Sequence, residues 1–232
     1  MSEDIRRLDM TLEKVLIEVR YDKSLLFDEI RQLNEIAKQS KHIFTKFGRD
    51  ERNGALRLLN PNKEYFGHVF SDRASVDIDN PESYEEFVEI SSQTINEISN
   101  KLEIDEFGRI GVRFFVGKQF PSTEAAWECI KSKLLDMEDV FEGETVEHPN
   151  IQFVFVRGDV RLNVSVRVES VTSITFEMPT GSQKGESKDM ILFDIDVYSQ
   201  RTVKSGESAE FYQEAHGYAI DLLGRFDSKL RG

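Results

Sequence analysis

Apolar residues along this chain recur with two periods, and the switch from one to the other marks out its elements. Val15–Tyr21 (VLIEVRY) is short and β-branched, and predicts a strand. Ser24–Lys41 follows as a helix, with Leu26, Ile30, Leu33 and Ala37 at helical spacing. The charged run from Phe47 to Asn53 carries neither period and is expected as a loop. Ala55–Leu59 and Tyr65–Phe70 predict a hairpin around Asn60-Pro61-Asn62-Lys63. Ser75–Ile78 is a further strand, which Asn80-Pro81 ends. A helix is predicted from about Ser83 to Leu102, with Phe87, Ile95, Ile98 and Leu102 on its apolar face and Ser83 and Glu86 at capping-box spacing.

The pattern then starts again. Arg109–Val116 predicts a strand, and Ser122–Met137, behind Pro121, a helix. Phe141–Asn150 is an acidic loop. Ile151–Val156, Val160–Val168 and Ile174–Met178 are expected as three strands joined by turns at Gly158-Asp159 and near Ser170. Thr180–Lys188 has the composition of a flexible polar loop, and Ile191–Tyr198 of a strand. Ser208–Leu230 is the closing helix; its apolar positions Phe211, Ala215, Ala219, Leu222 and Phe226 superpose on Phe87, Ser91, Ile95, Ile98 and Leu102.

Short motifs repeat along with the elements. Val19-Arg20-Tyr21 recurs as Val112-Arg113-Phe114, and Asp77-Ile78-Asp79 as Asp194-Ile195-Asp196. The reading is two strand–helix–strands–helix units, residues 1–106 (with a polar lead, 1–12, expected to fray) and 107–232, fused into one structural domain. A meander of short strands between helices gives an antiparallel sheet with helices on one face. Pairing two such units across a pseudo-twofold would remove two exposed edges. The expected fold is therefore α+β: duplicated units forming one long antiparallel sheet with helices on one face. That architecture resembles the TATA-binding-protein-like, helix-grip class, a likeness of fold that carries no function with it.

Composition narrows the function classes. The chain has 232 residues, 39% of them apolar, with 17 Phe, enough for a sizeable core. The formal net charge of -13 argues against a nucleic-acid partner, because phosphate contacts need clustered Lys and Arg. The charge is uneven: Asp77–Glu106 holds ten acids against one Lys, and Glu124–Glu147 eight against two. Solvated helix faces explain this most simply; an acidic surface for a basic partner is the sharper reading. A single cysteine, Cys129, sits in the apolar pattern Ala125-Trp127-Ile130-Leu134 and reads as a core thiol. No stretch reads as a signal segment or a membrane span, so the expectation is a cytoplasmic protein with no membrane contact.

Few residues suggest chemistry. In a strand, alternation puts both aspartates of Asp-Ile-Asp on one face, about 6.5–7 Å apart, where Asp194 and Asp196 could hold a hard divalent ion. The simpler account places each Ile in the core and the aspartates against water, a cation or the next helix N-terminus, which suits Asp79. Arg20 and Arg113 hold equivalent positions in predicted central strands, so each must be paired or face a polar cleft. Asp77, Asp79, Asp194 and Asp196 are the obvious partners; an anion site on a concave sheet face, lined by Arg20, Arg113, Tyr21 and Tyr198, is the functional alternative. His216 lies beside an apolar helix stripe with Tyr212 one turn earlier, and the four histidines show no metal-ligand spacing. Gly111–Gln119 superficially suggests a phosphate loop but has the wrong glycine spacing and Gln119 where Ser or Thr is required. Phe114, Phe115, Phe153 and Phe155 read as core residues rather than a base-stacking platform.

Glu18-Val19-Arg20-Tyr21, Ile110-Gly111-Val112-Arg113-Phe114, Leu192-Phe193-Asp194-Ile195-Asp196 and His216 together resemble a sporadically distributed bacterial family of uncharacterised cytoplasmic proteins. The likeness covers most of the chain, although Thr11–Lys14 lacks the proline-rich lead such a family would have. It implies no catalytic residue and no cofactor, and a patchy distribution implies mobile-element or phage-defence contexts. Three function classes follow. The first is a non-enzymatic interaction protein with a protein partner. The second is a binder of a small anionic ligand, using Arg20, Arg113, Tyr21, Tyr198 and His216. The third, least favoured, is a metal-dependent hydrolase on Asp194 and Asp196. A homodimer through open edge strands is compatible with each.

Overall fold

Nearly all the period-two segments join one antiparallel sheet, whose strands are β1 (Thr11–Arg20), β2 (Lys46–Arg49), β3 (Leu56–Asn60), β4 (Tyr65–Val69), β5 (Arg73–Asp79), β7 (Arg109–Phe120), β8 (Asn150–Arg157), β9 (Val160–Glu177) and β10 (Ser182–Ser199). This is a computed structural model, and it describes residues 3–135, 150–177 and 182–232. The nine strands run in the order β2-β3-β4-β5-β1-β7-β10-β9-β8. A second, two-stranded ribbon pairs β6 (Glu106–Phe107) with β11 (Val203–Lys204). The helices are α1 (Glu3–Arg7), α2 (Ile30–Gln39), α3 (Tyr84–Leu102), α4 (Thr123–Cys129) and α5 (Ser208–Arg231). The fold is α+β, as the patterning predicts.

Alternation along the strands sorts side chains onto two unlike faces. On one face Val15, Ile17, Val19, Ile110, Val112, Phe114, Phe193 and Ile195 are almost fully buried. They form a single hydrophobic cluster with helix residues such as Phe87, Ile95, Ala126, Phe211 and Leu222. Leu16, Leu59, Phe66, Phe115, Met190 and Leu192 point to the other face and stand outside that cluster. This second face is the open face of the sheet among the described residues.

Several boundaries differ from the patterned expectation. Of the polar lead expected to fray, the described part, residues 3–12, is ordered: α1 buries Ile5, and β1 already begins at Thr11. Burying Ile5, Met10 and Leu12 against the core outweighs the polar composition. Ser24–Lys41 breaks into a 3₁₀ turn, Leu25–Asp28, followed by α2, which leaves Ile30 exposed and makes Phe27, Leu33 and Ile36 the inward face. Lys46–Arg49, within the expected loop, is the outermost strand beside β3, where backbone pairing suffices without an apolar pattern. The helix at Ser122 turns π-helical over Ile130–Leu135. There is no turn near Ser170; β9 runs unbroken to Glu177, and Ser182–Lys188 of the expected loop belongs to its partner β10. Most of the acidic loop expected at 141–150 lies outside the described residues, as do 180 and 181 of the polar loop.

Candidate functional site

The open face is built by β5, β1, β7, β10 and β9, and directly opposed residues form rows across these strands. The first row is Arg73–Arg20–Arg109, on β5, β1 and β7. Neighbouring strands lie about 4.8 Å apart, so three guanidinium groups originate within about 10 Å of one another. Like charges placed directly opposite destabilise a sheet, so this row costs free energy unless something compensates it. The second row is Ser75–Glu18–Gly111–Tyr198–Arg161, and the third Asp77–Leu16–Arg113–Asp196–Asn163. The fourth is Asp79–Lys14–Phe115–Asp194–Ser165, with a β-bulge at Glu13 just beyond it.

Carboxylates in these rows hold most of the cations. Arg113 donates from Nε and Nη2 to the two oxygens of Asp194, each at 2.7 Å, a forked geometry that fixes orientation as well as charge. Arg167 Nη1 adds a third donor to Asp194 at 3.1 Å. Arg109 Nη2 reaches Asp196 at 3.1 Å, while its guanidinium lies 4.3 Å from the centre of the Tyr198 ring. Arg113 lies 5.0 Å from the Phe115 ring. In the other half Lys14 bridges Asp77 at 2.6 Å and Asp79 at 2.9 Å. Arg20 pairs through Nε with Glu18 at 2.7 Å. Arg73 stacks over Phe70 and has no carboxylate partner among the described residues.

The electrostatics follow from this mixture. The hydrogen bonds that it donates to Asp194, against partial burial, raise the Arg113 guanidinium above its ordinary value. Burial pushes the Asp196 carboxyl up, although Arg109 and Arg113 oppose the shift. For Lys14, burial alone would lower the ammonium; its bonds to Asp77 and Asp79 outweigh this, and the net shift is upward.

Gly111 gives the face its relief. A Cβ there would stand 3.1 Å from the Tyr198 Cβ and 3.4 Å from the Val197 carbonyl oxygen, so any side chain at this position would press on β10. The missing side chain leaves a depression of about 240 Å³ lined by Leu16, Glu18, Arg20, Arg109, Arg113 and Asp196. A second depression, about 330 Å³, continues past Arg113 and Asp194 toward Asn163, Ser165 and Val154. Among the described residues the Arg109 Nε is buried beside the first with no hydrogen-bond partner, and so is the Arg161 Nε two strands further out. A buried donor without a partner costs about 1–3 kcal/mol.

The sequence-predicted residues divide. Arg20, Arg113 and Asp196 line one depression, and Tyr198 adjoins it through Gly111 and Arg109. Asp194 and Asp196 are held by arginines, and among the described residues no cluster of His, Cys, Asp or Glu could hold a metal ion. Tyr21 stands apart: it is buried, and its hydroxyl donates to the Phe70 carbonyl at 2.9 Å. His216 lies on the helix side of the sheet, stacked on Tyr84 at 4.2 Å between ring centres, with its basicity lowered by burial. Of the four phenylalanines, Phe114 is in the core, Phe153 and Phe155 pack against it, and Phe115 alone lies on the open face under Arg113. Cys129 packs partly buried against the core, and burial raises its thiol.

Lys14, Glu18, Arg73, Arg109, Gly111 and Arg167 were not singled out from the sequence as site residues. The signal that would have found them is strand pairing: Arg73, Arg20 and Arg109 are neighbours only because β5, β1 and β7 are. No family model and no curated protein matches this chain.

Proposed function

We propose that this chain is a non-enzymatic binding protein whose working surface is the open face of the sheet and whose partner is a protein. The observation that supports this most is the arginine row Arg73–Arg20–Arg109, beside the depression over Gly111, in a chain whose net charge is -13. Directly opposed like charges cost a sheet free energy, and Arg20 and Arg73 are exposed, where cations at a recognition face steer an oppositely charged partner. The matched strand orders outward from the centre, β1-β5-β4-β3 and β7-β10-β9-β8, support reading the chain as a duplicated unit joined near residue 106. Duplication places the face's central depression at the join.

A photo-crosslinking residue placed at Ser75, on the open face, and separately at Glu89, exposed on α3, tests the assignment in the cells that make the protein. A discrete protein adduct from position 75 and none from position 89 is expected. Adducts from position 89 alone, or from neither, overturn it.

The three arginines that line the depression, Arg20, Arg109 and Arg113, favour a second reading, a small anion held there. Native mass spectra before and after denaturation test it: a small mass lost on denaturation supports it, and an unchanged mass removes it.

A further inference from the structure

We infer that the depression over Gly111 is a carboxylate site that seats an aspartate or glutamate side chain of the protein partner. This rests on the sheet-face reading and gives it a chemistry. Three observations lead there.

The first is charge. Arg20, Arg109 and Arg113 line the depression, and the carboxylates that line it are Glu18 and Asp196. The surplus is one positive charge, matched by one carboxylate. A nucleic-acid backbone fits worse, since Asp77, Asp79, Asp194 and Asp196 in the third and fourth rows would repel the phosphates fixed on either side of any one that was bound, whereas a peptide can seat one side chain and turn its neighbours away.

The second is donor supply. Arg109 uses Nη2 on Asp196, and about a third of its side chain faces solvent. Arg20 uses Nε on Glu18 and half of its side chain faces solvent, so its terminal nitrogens are available to an incoming group. A guanidinium offers parallel N–H donors at the spacing of a planar carboxylate.

The third is order and access. Tyr198 beneath Arg109 and Phe115 beneath Arg113 hold both guanidinium planes in place, so little rotamer freedom is lost when a ligand arrives. Gly111 leaves the strand backbone open beneath them, and a larger residue would fill the floor as well as clash with Tyr198.

The test uses arginine Nε–Hε NMR resonances of the full chain, titrated with N-acetyl-hexaglutamate amide. The matching hexaglutamine peptide and hexathymidylate, at equal ionic strength, are the comparisons. Saturable shifts at Arg20, Arg109 and Arg113 with hexaglutamate, absent with hexaglutamine, are expected. Arg109→Ala should weaken binding about tenfold, the scale of one charge-assisted hydrogen bond. Arg109→Lys, which keeps the charge and loses the fork, should weaken it nearly as much, and an unchanged melting temperature for that variant excludes misfolding as the cause. No saturable shift, an equal response to hexaglutamine, or tighter binding of hexathymidylate would each overturn the assignment, the last in favour of a nucleic-acid face. A position-75 adduct that survives in Arg109→Ala leaves the docking face standing and removes the carboxylate site alone.

Discussion

At the scale of single residues, what matters is which side chains depend on one partner and which have several. Asp194 is buried and accepts from two arginines, so Asp194→Ala takes the forked partner from Arg113 and leaves Arg167 with Glu169 at 3.4 Å. Both arginines keep partial contact with solvent, which softens the loss to about 1–3 kcal/mol, readable as a lower urea midpoint. Arg20→Ala removes only a half-exposed pair with Glu18 and should move the same midpoint by less than about 0.5 kcal/mol. If Arg20 proved as costly as Asp194, the first-row arginine would be a structural residue and not a recognition one. His216 sets a pH dependence. Burial lowers its folded value below the ordinary 6.5, against weaker opposing fields from Asp4 and Glu85. The unfolded chain therefore takes up the proton first; stability is complete above 6.5 and is lost as the pH falls through the folded value. His68 is shifted in the same sense, and the raised carboxyls of Glu13 and Asp196 act oppositely, at the lower pH where carboxyls titrate. The urea midpoint should thus fall between about pH 7.5 and 5.5, and fall less in His216→Phe, which keeps an aromatic ring against Tyr84. An equal fall in both proteins would exclude His216 as the source.

At the scale of elements, caps and turns were the most legible features. Ser83 accepts from the Glu86 backbone N–H as its spacing predicts, and Ser122 does the same for Ala125. The reciprocal half of the capping box is diverted, because the Glu86 carboxylate accepts from the Tyr65 hydroxyl instead. Ser83→Ala should cost about 1 kcal/mol. The other end of α3 is strained: Glu103 takes the left-handed conformation, φ 54°, that glycine occupies at helix ends. Glu103→Gly should stabilise by about 0.5–1 kcal/mol, the relief of strain less the added freedom of the unfolded chain, and a lower melting temperature would refute it. Strand lengths were less legible. β9 and β10 run 18 residues each through Ser, Thr, Gly and Lys, because a long antiparallel ladder needs only backbone partners and its outer part need not bury an apolar face. The same reason hid β2 within a charged run.

At the scale of the whole molecule, β1 and β7 lie at the centre of the sheet and pair along nearly their full length. Val15, Ile17 and Val19 of β1 and Val112 and Phe114 of β7 have essentially no exposure, so neither strand could serve as an edge without baring part of the core. The helix layer ties the same two parts together: the Tyr84 hydroxyl of α3 donates at 2.6 Å to the Tyr212 carbonyl of α5, wholly buried. The full chain should therefore melt in one calorimetric transition, and residues 1–106 alone should give a poorly dispersed amide spectrum. Two separate transitions would show that the parts are independent domains. Among the described residues no helix is long and apolar enough to cross a membrane.

The sequence by itself determined the fold class, most strands and helices, the Ser83 cap and the inward face of α3, because hydrophobic period and capping chemistry are local properties of the chain. It also singled out Arg20, Arg113, Asp194, Asp196 and Tyr198 from repeated motifs and from the demand that an arginine in a central strand have a polar partner. The tertiary structure alone decided which partner. Asp194 serves Arg113 and Arg167, Lys14 takes Asp77 and Asp79, and Arg20 is left with Glu18. It alone set Arg73, Arg20 and Arg109 in one row and withdrew Tyr21 and His216 from the face. Strand register fixes these outcomes, and register depends on pairings between segments up to about a hundred residues apart, which no local pattern encodes.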